Sequence, residues 1–266
     1  MSTLPVYYLS HGGGPWPWMP DTPRYDQALA DSLQKLPTQL PQTPTAILMV
    51  SAHWESQGAF LVQAHPQPPM YYDYYNFPPH TYQVQYPAPG KPELAQQVQQ
   101  LLHQAGIRAE LDHERGFDHG VFVPAYVMYP QAQIPIVQLS IEAHYEPAMH
   151  MAVGRALRSL RDQGVLIVGS GASYHNLRLL GPEGAEPSKL FDQWLEKALV
   201  GTTATERIQQ LQQWDQAPAA RIAHAREDHL VPLFTIAGAA FDTDTVQRIL
   251  YSQSAAGIIN ASYQFG

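Results

Sequence analysis

Three short apolar runs, each breaking off at a polar cluster that contains a histidine, constrain this chain more than any other feature of its sequence. Val6-Tyr7-Tyr8-Leu9-Ser10 stops at His11-Gly12-Gly13-Gly14-Pro15, and Ala46-Ile47-Leu48-Met49-Val50 stops at Ser51-Ala52-His53-Trp54. Val165-Leu166-Ile167-Val168 leads through Gly169-Ser170-Gly171-Ala172-Ser173-Tyr174 to His175-Asn176. Continuous apolar runs this short, bounded by turn formers, read as strands covered on both faces. Residues 134–141 read as a further buried strand with Pro135 near its start, and residues 60–64 and 108–112 are additional strand candidates. Leu94, Val98, Leu101 and Leu102 recur at helical spacing, with Pro92 suited to a first turn and Gly106 to a C-terminal cap. Further helices are expected over 146–162, closed by Gly164; from a Ser188 cap to about Val200; within 203–223; and over 229–240, with Pro232 in the first turn. Residues 66–90, rich in Pro and Tyr, read as a long ordered loop. Buried strands alternating with helices predict an α/β fold, a single domain over residues 1–266. Its central sheet is mostly parallel, with helices on both faces and the active site at the carboxyl ends of the strands.

Composition narrows the chemistry. With 266 residues, 45% of them hydrophobic, the chain can bury one substantial core. A formal net charge of −8 and only 15 scattered Lys and Arg residues leave no basic patch for nucleic acid, so the expected partner is a small molecule. No apolar run approaches the roughly 18 residues of a membrane span, and no basic and apolar leader opens the sequence, so the expected location is cytoplasmic. The absence of cysteine removes thiolate zinc sites and iron–sulfur clusters, leaving imidazole and carboxylate as metal ligands.

Twelve histidines are therefore sorted by position. A lone histidine after a strand is more often an ordinary polar residue, but His11, His53 and His175 fall on one predicted rim, which reverses that expectation. His11 and His53 suit a metal. His119, in Gly116-Phe117-Asp118-His119-Gly120, suits acid/base work on a glycine-flanked loop, although turn chemistry alone also explains the glycines. Glu227-Asp228-His229 offers three donors where a buried helix begins; the two carboxylates serve equally well as charges favouring a helix N-terminus. His65, His103, His113, His144 and His150 read as surface or satisfied structural residues. His80 is open, and His224 is expected to be solvated.

Taken together, Ser10-His11-Gly12-Gly13-Gly14-Pro15, Val50-Ser51-Ala52-His53-Trp54, Tyr86-Pro87-Ala88-Pro89-Gly90, Gly116-Phe117-Asp118-His119-Gly120, Gln138-Leu139-Ser140, Ser173-Tyr174-His175-Asn176-Leu177 and Asp228-His229-Leu230-Val231-Pro232-Leu233 carry a resemblance. The chain resembles the class III extradiol ring-cleavage dioxygenases, particularly the branch of 4,5-DOPA dioxygenases, over nearly its whole length. That resemblance implies a non-haem metal-dependent enzyme that inserts both atoms of O2 into a catechol such as DOPA, giving a semialdehyde. It implies Fe(II) for activity, with Zn(II) as another ion the site can hold. His11, His53 and His229 look like metal ligands, and His119 and His175 like acid/base residues, His175 also being a fourth-ligand candidate. The wider family places a glutamate where this chain offers His229. Variants of Glu227 and Asp228 are accordingly expected to keep the metal. Aromatic packing assigns the substrate to the Tyr/Pro-rich loop, with Tyr75, His80 and Tyr82 as its binding residues and Tyr71, Tyr72, Tyr74 and Phe77 beside them; packing of the loop on its own domain explains the same tyrosines.

Two other functions use the same residues. A zinc hydrolase would employ imidazole ligands and an open position to activate water, although no carboxylate is placed as its base. A non-catalytic binding protein on this fold, as in the Memo group, would not need all five histidines. The oligomeric state is not legible in the sequence.

Overall fold

The apolar runs form strands because their alternate residues bury on opposite sides of one sheet. The computed structural model describes residues 2–266. In chain order these form β1 (Val6–Ser10), α1 (Gln27–Gln39), β2 (Ala46–Ser56), β3 (Phe60–Gln63), α2 (Pro92–Gln104), β4 (Ala109–Asp112), α3 (His119–Met128) and β5 (Ile136–Glu142). There follow α4 (Pro147–Leu157), β6 (Val165–Gly171), α5 (Ala185–Leu199), α6 (Ala204–Gln212), α7 (Ala220–Ala223), α8 (Val231–Ala239), β7 (Val246–Gln253) and β8 (Ile259–Phe265).

The eight strands make one sheet in the order β4-β3-β5-β2-β6-β1-β8-β7. Its centre, β5-β2-β6-β1, is parallel throughout. At one flank β3 runs antiparallel to β5; at the other the β7–β8 hairpin packs antiparallel against β1. Tyr7, Leu9, Ile47, Met49, Leu166 and Val168 face α1 and α3, meeting Leu29, Leu33, Val121 and Phe122. Their neighbours Val6, Tyr8, Leu48, Val50 and Ile167 face the other core, which includes Leu94, Met151, Phe191 and Leu233 of α2, α4, α5 and α8. A period of two on a sheet covered on both sides explains why these strands are apolar throughout. The expected single-domain α/β sheet with helices on both faces is the observed one. Among the described residues no helix is long and apolar enough to cross a membrane.

Several local expectations are corrected. His53 does not follow β2 but lies within it, in the stretch between Val50 and Glu55 where the register with β5 shifts. The segment 116–120 is only partly loop, since His119 is the first residue of α3. Ser188 does not cap α5, which starts at Ala185; its hydroxyl instead takes the Ile259 N–H at 2.7 Å, tying α5 to β8. His229 precedes α8 rather than opening it. Helix α1, residues 121–128 of α3 and the β7–β8 hairpin have no counterpart among the expected elements.

Candidate metal centre

Three chain segments far apart in sequence deliver His11, His53 and His229 to one buried point. His11 leaves the end of β1 with its N–H donated to the Gly171 carbonyl at 3.1 Å, which continues the β1–β6 ladder past Ser10. The register shift in β2 re-aims the strand end that bears His53, a common use of such irregularities beside active sites. His229 sits in a turn where the Leu230 and Val231 amides both donate to the Glu227 carbonyl. Its own carbonyl accepts from the Ala172 N–H at 3.1 Å and the Tyr8 hydroxyl at 2.9 Å. Gly171 is required for this seat, because a Cβ there would lie 2.0 Å from the His229 carbonyl oxygen.

One ligand atom from each of the three imidazoles lies within 4.8 Å of those of the other two. His53 Nε2 and His229 Nε2 are 3.2 Å apart, and His11 Nε2 is buried with no hydrogen-bond partner. The opposite nitrogens all meet oxygen: His11 Nδ1 the Gly12 carbonyl at 2.8 Å, His229 Nδ1 the Asp228 carboxylate at 2.9 Å, and His53 Nδ1 the Asp73 carboxylate at 3.3 Å. Hydrogen bonds to oxygen place the proton on Nδ1 of His11 and His229, and the nearby Asp73 carboxylate favours the same tautomer at His53 electrostatically, leaving the Nε2 lone pairs directed inward, the arrangement that orients imidazoles for a metal. Burial, followed by the charges of neighbouring histidines, holds the pKa of all three well below the usual value of 6.5. Neutral, converging imidazoles with an orphaned buried nitrogen fit a divalent transition-metal ion.

Two further histidines flank the trio. The His119 ring lies 3.9 Å from that of His53, and its Nδ1 bonds Asp73 Oδ1 at 2.8 Å. Gly120 permits this closeness, since a Cβ there would meet Ser51 Oγ at 2.6 Å and the His53 ring at 3.1 Å. The His175 ring stacks on His229 at 3.3 Å and 14°, and burial followed by His119 lowers its pKa to about 4. Beneath them, fully buried Asp118 accepts hydrogen bonds from Ser51, Arg115 and Gln138. Burial raises its pKa, followed by the charge of Asp73, against the opposing pull of Arg115. Burial also raises Asp228 to about 6, against the opposing charge of Arg226.

The structure thus gathers His11, His53, His119, His175 and His229, places beside them Tyr74, expected among the aromatic residues near the substrate, and adds Asp73, which nothing in the sequence singles out. Asp73 bonds His119, and the Tyr74 ring meets that of His119 at 5.9 Å. Both lie on the Tyr/Pro-rich loop, where tyrosines obscure a single carboxylate and no periodicity says which side chain turns inward. The three proposed substrate residues lie less close to the chemistry. Tyr75 is 79% exposed. His80 is exposed with Nε2 on the Trp18 carbonyl at 3.0 Å, and Tyr82 packs on Tyr74 while its hydroxyl accepts the Phe77 N–H. His224 is buried, not solvated, between Phe191 and Trp214 with Nε2 on the Ser173 carbonyl. His65, His103, His144 and His150 have local partners.

An α/β sheet with buried imidazoles converging at its carboxyl rim defines a metalloenzyme type of site. The family described as "Catalytic LigB subunit of aromatic ring-opening dioxygenase" matches residues 5–266. A dioxygenase, tasH, of Hapsidospora irregularis is 36% identical over all of this chain and 86% of its own length. A 4,5-DOPA dioxygenase extradiol of Beta vulgaris is 35% identical over 98% of this chain and 96% of its own. The crystal structure of an uncharacterized protein from Escherichia coli K12 superposes with a TM-score of 0.79 at 31% identity, covering 99% of this chain and 100% of that one. The chain belongs to the LigB family of metal-dependent aromatic ring-opening dioxygenases. It is a ring-cleaving dioxygenase acting with O2 on a small aromatic molecule.

Proposed function

We propose that the substrate is a catechol such as DOPA, opened in extradiol fashion to a semialdehyde, with Fe(II) held by Nε2 of His11, His53 and His229. The observation that carries this reading is the convergence of one nitrogen from each of His11, His53 and His229, with the Nδ1 atom of each facing an oxygen. A bound ferrous ion would supply a Lewis acid for the catechol oxygens and a redox-active relay for electrons passing from the catecholate to dioxygen. The same donors suit Zn(II), which binds imidazole but has no redox chemistry.

The chain's own residues would do the rest. Three neutral imidazoles add no negative charge of their own, so the site favours an anionic catecholate as the incoming partner. With Nδ1 on Asp73, His119 presents Nε2 to take a catechol proton, and the carboxylate stabilises the imidazolium that results. His175, neutral and stacked on His229, stands beside the ligand set. Imidazole lone pairs lie in the ring plane, so two nearly parallel stacked rings cannot both direct theirs at one ion. This favours proton transfer over fourth-ligand duty for His175. Tyr82 backs the aromatic layer next to His119, whereas exposed Tyr75 and His80 can meet substrate only at the entrance.

The reading is tested by loading the metal-free protein anaerobically with Fe(II) and following oxygen uptake with L-DOPA and simpler catechols. The expected result is stoichiometric uptake with a yellow semialdehyde. No uptake at confirmed iron occupancy would overturn it and return the zinc-hydrolase alternative.

A further inference from the structure

We propose that Asp73 is a positioning residue shared by the metal site and the proton carrier, one carboxylate orienting His53 through Oδ2 and His119 through Oδ1. The inference rests on the reading above of His53 as a ligand and His119 as an acid/base residue.

The loop that carries Asp73 is tied down immediately beside it. The Tyr71 N–H donates to the Phe117 carbonyl at 2.8 Å and the Phe117 N–H to the Pro69 carbonyl at 2.9 Å. Tyr72 and Tyr74 hydroxyls reach the Val84 and Thr81 carbonyls, each at 2.6 Å. Arg115 stacks under Tyr71 at 4.1 Å while donating to the His53 carbonyl. The loop is thereby joined both to the segment that starts α3 and to the end of β2.

From that mount, Asp73 Oδ1 accepts two hydrogen bonds from His119, the backbone N–H at 3.0 Å and the ring Nδ1 at 2.8 Å. Both bonds lock the first residue of α3 and its side chain. Asp73 Oδ2 is buried and makes no regular hydrogen bond, but His53 Nδ1 lies 3.3 Å from it. That contact falls off the hydrogen-bond line, so its orienting pull is mainly electrostatic. A carboxylate has no proton to give, so each imidazole facing it is selected as the Nδ1–H tautomer with Nε2 free. Asp228 offers a useful contrast. It bonds His229 Nδ1 at 2.9 Å but lies 4.0 Å from His175, so it supports one ring closely rather than two.

The test uses Asp73→Asn in the full-length protein, with folding checked by circular dichroism. In metal-free protein, 15N spectra of the imidazoles should show Nδ1–H on His53 and His119 in the wild type and a redistribution toward Nε2–H in the variant. Zn(II) affinity should fall about 10–100-fold, the usual cost of losing a group that orients a ligand. With Fe(II) at saturation, kcat should fall by a similar factor while KM stays within about twofold. A loop that had merely loosened would raise KM and leave the tautomers unchanged. Unchanged tautomers with metal affinity and kcat within twofold of wild type would overturn the proposal. Should the variant fail to fold, the wild-type spectrum still decides, because Nε2–H on both rings contradicts it. The tautomer and zinc readouts require no turnover, so absence of catechol cleavage would sink the functional reading while those two readouts still decide whether Asp73 orients both rings.

Discussion

At the residue scale, the region 225–230 separates a metal ligand from its supports. Glu227 is held by Arg221 at 2.7 Å, away from the trio, whereas Asp228 grips His229 Nδ1. His229→Ala is therefore expected to lower Zn(II) affinity more than tenfold and Glu227→Gln to leave it within about twofold. The structure revises the expectation for Asp228→Asn, which should now lose affinity by about tenfold because it orients a ligand without being one. Isothermal titration of metal-free, folded variants would check all three; equal losses at Glu227 and His229 would put a carboxylate back in the ligand set. His119→Ala should retain metal and lower kcat by about 10²–10⁴-fold, the range for a lost acid/base residue, measured by oxygen uptake at known iron occupancy. Sequence distinguished His11, His53, His119 and His175 by strand ends and flanking glycines. It had no means to find Asp73, whose importance arises from a loop packing against residues more than forty positions away.

At the element scale, two helices lack the usual local signature. Helices α3 and α8 are buried on every side, so neither carries the one-sided stripe that marks a helix in sequence. Flanking Pro232 identifies α8, whereas α3 offers only a glycine-flanked start that reads as loop over 116–120, and residues 121–128 carry no helix signal. Helix α4 contributes a titration that sequence could not anticipate. His150 is fully buried, accepts the Glu142 N–H through Nε2 at 3.1 Å and donates Nδ1–H to the Glu146 carbonyl at 2.9 Å. Burial lowers its pKa from 6.5 to about 4, against opposing contributions from the Glu146 hydrogen bond and the Glu142 charge. The folded state therefore prefers the neutral ring. Its contribution to stability is complete above about pH 6.5 and is lost as pH falls toward 4, at up to about 1.4 kcal/mol per pH unit. Replacing it with a side chain that can accept the same amide but does not titrate, His150→Gln, should flatten the stability curve over that interval. Urea unfolding of metal-free wild type and variant between pH 7 and 4 measures the difference, and parallel curves would refute it.

At the scale of the whole molecule, the metal would bridge three distant parts of the chain: the end of β1, the end of β2 and the turn before α8. An ion bound only by the folded state stabilises it by mass action, about 2.7 kcal/mol at a free concentration one hundred times Kd. Zn(II) or anaerobic Fe(II) should accordingly raise the melting temperature of metal-free protein, and His53→Ala should abolish most of that shift. A shift of equal size in the variant would place the ion elsewhere. What the sequence by itself determined was the class of fold and the rim on which the chemistry lies, because strand length, continuous apolarity and strand-end histidines are local properties of a covered parallel sheet. Only the tertiary structure decided which nitrogens converge, which carboxylate supports which imidazole, and that His175 stacks on His229. Those are distances between segments brought together by sheet order, by the register shift in β2 and by a close approach at Gly171, and no local pattern in the chain encodes them.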